Sequence, residues 1–163
     1  MEVKQWEKPA FTIIGKQGST SQGPGFIQRL WEDANGHFDE VAYLAKSRPD
    51  GRLCGIWGAM SDESLSFAPW EEGFTKGLYL AGVEAEDGVQ APKGWTKWRV
   101  PGFVYLCIKQ ESGVDFAAGL RYLQQQGLPL AGAVQDFTDP GDSGQGWMLY
   151  PIRRLEEERG NTP

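Results

Sequence analysis

Two carboxylates stand where carboxylates are unusual. Glu84 closes the apolar run Gly77-Leu-Tyr-Leu-Ala-Gly-Val-Glu84, and Asp136 sits between Gln135 and Phe137 in the short run Ala133–Thr138. Asp is a poor strand former, so its presence there needs a reason. Set against aromatic rings, either group would pair with a cationic ligand or, with its pKa raised by desolvation, act in acid–base chemistry. Each also has a plainer reading. Glu84, next to Glu86 and Asp87, is then a solvent-facing residue near a strand end, and Asp136 a cap close to the Asp139-Pro140 turn.

Rings are plentiful. Seven tryptophans occur in 163 residues. Indole is large, flat and low in rotamer entropy, so it serves equally as core or as pocket wall. Trp57 alternates with the small residues Gly55 and Ala59, which leaves room beside its ring for a ligand or a close-packed helix. Trp98 and Trp95 flank a loop-to-strand junction. Trp70 follows Pro69 in a long loop, as a lid or as a pin. Tyr79 and Tyr105 offer hydroxyls, and Trp31 belongs to a core stripe. The only histidine, His37, lies beside Asn35 and Asp39 and reads as a surface or capping residue. Cys54 and Cys107 read as buried, reduced thiols. No Cys/His spacing resembles a zinc site, and Gly23-Pro24-Gly25 matches no phosphate loop. No metal or cofactor is therefore expected.

The elements that must position these residues follow from periodicity. Phe11 opens a strand that decays into a Gly/Ser loop by Gln22. After Pro24, Ile27, Leu30, Trp31, Ala34, Phe38 and Val41 recur at helical spacing, with Gly36 as a bend or break. Leu53–Met60 reads as a strand, Ser61–Lys76 as a polar loop and Gly77–Ala85 as a strand. Trp98–Lys109 is then read as one strand and Val114–Gln126 as a helix stopped by Gly127. Ala133–Thr138 and Trp147–Arg153 are strands. The order strand–helix–strand–strand thus occurs twice, over about residues 8–88 and 92–155, followed by a tail at 156–163. It predicts one α+β domain: an antiparallel sheet, both helices on one face, and a ligand groove between the halves on the opposite face.

The net charge is −6, and the basic pair Arg153-Arg154 is answered by Glu156, Glu157 and Glu158. Direct nucleic-acid binding is not expected of such a chain. No long apolar run or leader is visible, so no membrane span and a cytoplasmic location are expected.

Gly77-Leu-Tyr-Leu-Ala-Gly-Val-Glu84, Pro92-Lys-Gly-Trp95, Trp98-Arg-Val-Pro-Gly-Phe-Val-Tyr105 and the closing Leu149-Tyr-Pro-Ile152 occur in that order. Together they resemble the GyrI-like effector-binding domains, from about Phe11 to Arg154. That family includes drug-sensing domains of transcription regulators, stand-alone antagonists of toxins acting on gyrase, and stand-alone hydrolases of cyclopropane-bearing natural products. The resemblance places Asp136 where the family usually carries a pocket Glu. It implies a bacterial, stand-alone domain that binds hydrophobic or cationic drug-like ligands, with Trp57, Trp70, Tyr79, Glu84, Trp98, Tyr105 and Asp136 as ligand-binding candidates. It also implies two alternatives. One is a hydrolase with Glu84 or Asp136 as the catalytic carboxylate. The other is an interaction protein acting on a topoisomerase or regulator.

Overall fold

The computed structural model describes residues 1–155; the tail at 156–163 and the acidic run Glu156–Glu158 lie outside them. Eight strands form one antiparallel sheet. In chain order they are β1 (Val3–Lys8), β2 (Phe11–Ser19), β3 (Ile56–Ser61), β4 (Leu78–Ala85), β5 (Thr96–Val100), β6 (Phe103–Lys109), β7 (Gln135–Asp139) and β8 (Gln145–Arg154). Helix α1 (Phe26–Gly36) follows β2, the short α2 (Glu71–Phe74) precedes β4, and α3 (Phe116–Gln125) follows β6. The spatial order is β1-β6-β8-β7-β3-β4-β2-β5. The sheet is therefore pseudo-symmetric about the β7–β3 contact, and the two leading strands are exchanged. β1 precedes β2 but pairs with β6, while β5 precedes β6 but pairs with β2.

Two expectations change here. The single strand read over Trp98–Lys109 is two strands, β5 and β6, separated at Pro101-Gly102. Proline has no N–H for the ladder and breaks the run there. The first ten residues, left without an element by their polarity, contain β1. Its charged composition is that of a guarded sheet edge.

The α1 stripe buries Phe26 and Ala34 against Ile14, Tyr79 and Ala81 of the sheet. The helix stops at Gly36, short of Phe38 and Val41, which pack beneath it from 3-10 turns. Helix α3 is capped by Asp115, whose carboxylate accepts the Ala118 N–H at 2.8 Å. It seats Leu123 among Leu106, Ile108, Val134 and Tyr150. Central strand β4 is buried over nearly its whole length. That explains its unbroken apolar run, since both of its faces are covered.

The other face curls in on itself. Trp6, on edge strand β1, lies 5.3 Å from the ring of Phe137 on β7 and 6.2 Å from Trp57 on β3. A flat sheet would hold β1 and β3 four strand spacings apart; strong twist and coiling bring them together. This inner face carries Trp57, Trp98, Tyr105, Phe103 and Leu149, all at most 2% exposed. Among the described residues, no helix is long and apolar enough to cross a membrane.

Candidate functional site

On the helix face a cleft of about 190 Å³ lies where the two halves meet. Met60 of β3, Val134 and Met148 of β8 form its floor, Trp70 and Phe74 one wall, and Phe116 of α3 the other. Phe74 meets Phe116 edge-on at 5.2 Å, so the loop of one half touches the helix of the other. A second hollow of about 270 Å³ adjoins it, shares Phe116 and Met148, and runs past Gln110 to Asp115.

Asp136 belongs to this face. It is paired across the ladder with Met148 on one side and Gly58 on the other, and directly opposed residues share a face. The Gln110 amide donates to its Oδ1, and no Lys or Arg among the described residues forms an ion pair with it. Burial raises its pKa, and the Gln110 hydrogen bond offsets part of that. Two tyrosines feel its charge. Tyr79 is raised by burial and then by Asp136; Tyr150 is raised by burial, by Asp115 and by Asp136. Trp31 Nε1 donates to the Tyr79 hydroxyl at 3.0 Å, and the Tyr150 hydroxyl donates to the Phe116 carbonyl at 2.9 Å. Gly58 makes this packing possible. A Cβ there would lie 2.0 Å from the Tyr79 hydroxyl and 3.0 Å from Asp136 Cβ.

The walls are set by the loop between β3 and β4. Buried Asp62 organises it by accepting from the hydroxyls of Ser61, Ser64 and Ser66 and from the Ser66 N–H. Burial works against the charge of Asp62, but these donors overcome it and hold its pKa well below the usual carboxylate range. Leu65, Phe67, Glu72 and Phe74 all have positive φ, a strained conformation for side-chain-bearing residues. Trp70 is pinned by its Nε1, which donates to the Leu78 carbonyl at 2.9 Å.

Glu84 lies on the other face, because its alternation in β4 sets it with Leu80 rather than with Tyr79. There Lys8 meets it at 3.2 Å. The same ammonium stands 4.4 Å from the ring of Phe11, 5.1 Å from Trp6 and 5.8 Å from Trp57. An acid set among aromatic rings, the constellation sought for a cationic ligand, is thus filled by the chain's own lysine.

The seven candidate residues therefore divide between the faces. Trp70 lines the helix-face cleft, while Tyr79 and Asp136 lie on the same face of the sheet, opposite its lining residues Met60 and Met148 in the ladder. Trp57, Glu84, Trp98 and Tyr105 lie on the inner face, so the two carboxylates do not share one groove. Trp57, Trp98 and Tyr105 are core: Trp98 Nε1 donates to Gln17 at 2.8 Å, while Trp57 Nε1 and the Tyr105 hydroxyl are buried without a partner among the described residues. Sequence reasoning missed Met60, Phe74 and Met148 at the cleft, Gln110 and Tyr150 at the hollow beside it, and Lys8 against Glu84. One signal was available: Met148 and Tyr150 alternate on the face opposite Trp147 and Leu149. His37 is exposed and contacts Asp33, as a helix-end residue.

Solved structures share this architecture. SAV2435 in complex with tetraphenylphosphonium superposes with a TM-score of 0.58 at 16% identity, covering 99% of this chain and 98% of that one. The EcmrR C-terminal domain gives a TM-score of 0.62 at 9% identity over 94% of this chain and 98% of that one. An integron cassette protein from the mobile metagenome of Vibrio cholerae gives 0.52 at 14% identity over 93% and 95%. No family model and no curated protein matches the chain. At these identities the likeness speaks to the fold alone, and the shared α+β architecture is the one that the resemblance of the motifs implied.

Proposed function

We propose that the protein binds small, ring-bearing or otherwise apolar cations in the helix-face cleft, with Asp136 as the counter-charge. The supporting observation is Asp136 itself. Its pKa is raised by burial, it is served by one amide, and no cation among the described residues pairs with it. Trp70, Phe74 and Phe116 supply ring faces, each worth about 0.5–2 kcal/mol to a cation or flat ring. Met60 and Met148 form a floor that adapts to ligand shape. Tetraphenylphosphonium, held by the SAV2435 neighbour, is a ligand of this class.

Calorimetric titration with tetraphenylphosphonium tests the reading. Binding in the micromolar range is expected, with neutral triphenylphosphine oxide bound more weakly and the cation recovered chemically unchanged. Asp136→Asn should weaken the cation about tenfold or more, ~1.4 kcal/mol, and leave the neutral compound nearly unaffected. Equal binding of the cation by the wild type and Asp136→Asn would remove the basis of the proposal.

A further inference from the structure

We propose that the inner-face cavity is a second binding site, for a flat organic carboxylate, on the opposite side of the sheet from the cation cleft. This cavity, about 510 Å³, is bounded by four cations, Lys4, Lys8, Lys46 and Arg48, and by two carboxylates, Glu84 and Asp139. The carboxylates are spoken for. Glu84 takes Lys8 at 3.2 Å and Asp139 takes Arg48 at 2.7 Å. Lys4 instead lies over the Trp147 ring at 4.1 Å, and Lys46 has no carboxylate partner among the described residues. Four positive and two negative charges leave a recess of +2 in a chain of net charge −6. A concave, low-dielectric wall focuses such an excess on what enters it. The rings of Trp6, Phe137 and Trp147 line the same space and would stack on a flat body. Charge and rings together select an anion with an aromatic part over a bare inorganic ion. They also give this face the opposite preference to the Asp136 cleft.

The probe is 2-naphthoate, titrated calorimetrically beside neutral 2-naphthalenemethanol and inorganic phosphate. The carboxylate should bind at least tenfold more tightly than the alcohol and lose affinity several-fold in 0.5 M NaCl, as screening shortens the reach of the lysines. Equimolar phosphate should not displace it. Lys46→Glu should weaken naphthoate at least tenfold and leave tetraphenylphosphonium binding unchanged. The backbone of residue 46 is fixed independently of its side chain, by Lys46 N–H to the Glu84 carbonyl at 2.8 Å and Cys54 N–H to the Lys46 carbonyl at 2.9 Å. Lys4→Gln, at an exposed edge position, is the second variant and should act in the same direction. Naphthoate bound no tighter than the alcohol, displaced by equimolar phosphate, or unaffected by both substitutions would overturn the assignment. None of those results bears on the cation cleft, whose readout is separate.

Discussion

On the inner face of the sheet, Glu84 meets a cation supplied by the chain itself; on the helix face, Asp136 meets only an amide among the described residues. Both are strand carboxylates among rings, and their surroundings look alike from composition. The difference lies in what pairs with them. Lys8 arrives from an edge strand that the curl of the sheet carries across to β4, and it completes Glu84 as part of the core. Among the described residues nothing equivalent reaches Asp136, so burial keeps its proton on more tightly than in an ordinary carboxyl. An acid in an aromatic setting is a candidate ligand group only where the protein has not already supplied the counter-ion.

That contrast can be broken most forcefully at Glu84. Glu84→Gln leaves the Lys8 ammonium caged by rings without its carboxylate, with side chains only 14% and 6% exposed in the wild-type pair. Denaturant unfolding should show a loss of about 3 kcal/mol, and the double variant Lys8→Met/Glu84→Gln should recover most of it. Additive losses would mean that the pair is not a unit.

Next in size is Gly58→Ala. The added methyl would collide with the Tyr79 hydroxyl at 2.0 Å, costing about 2 kcal/mol in unfolding experiments. It should also weaken cation binding by displacing the cleft floor.

Asp136→Asn sharpens the comparison through pH. A carboxyl raised in the folded state binds its proton more tightly than the unfolded chain does. Stability is therefore lost as pH rises from the ordinary Asp value through the raised folded value. The variant should match the wild type in thermal melts below that window and melt higher above it. Wild-type cation affinity should rise with pH across the same window, while the variant's stays flat. The smallest expected effect is that of Trp31→Phe, which removes the donor to the Tyr79 hydroxyl and should cost about 1 kcal/mol by the same unfolding assay.

Much of this was legible in the chain. The repeated strand–helix–strand–strand order predicted the sheet and both helices, because amphipathic periodicity reports which face is covered. Alternation set Glu84 apart from Val83 and Ala85, but strand parity says only that two residues lie on different faces, not which face carries the cleft. The exchange of β1 and β5 between the halves was hidden, since strand pairing across the sheet leaves no local mark. With it went the Lys8–Glu84 pair. In hindsight Lys4, Trp6 and Lys8 alternate with the period of a strand, yet their polarity resembles a loose terminus. The Asp62 hydroxyl cluster was equally silent, because a serine-rich loop reads as polar whether or not its hydroxyls converge on one carboxylate. Trp70, Tyr79 and Asp136 were singled out for their types; strand pairing put Tyr79 and Asp136 on either side of Gly58, and Trp70 lines the cleft on the same face.

The central claim is that Asp136 is a carboxyl held short of a cation. Carbon-detected NMR of the Asp136 carboxyl through a pH titration, with and without tetraphenylphosphonium, addresses it directly. The expected result is a pKa above the ordinary Asp value in the free protein and a clear downward shift when the cation is bound. A carboxyl that titrates normally, or one that the cation does not move, would contradict it.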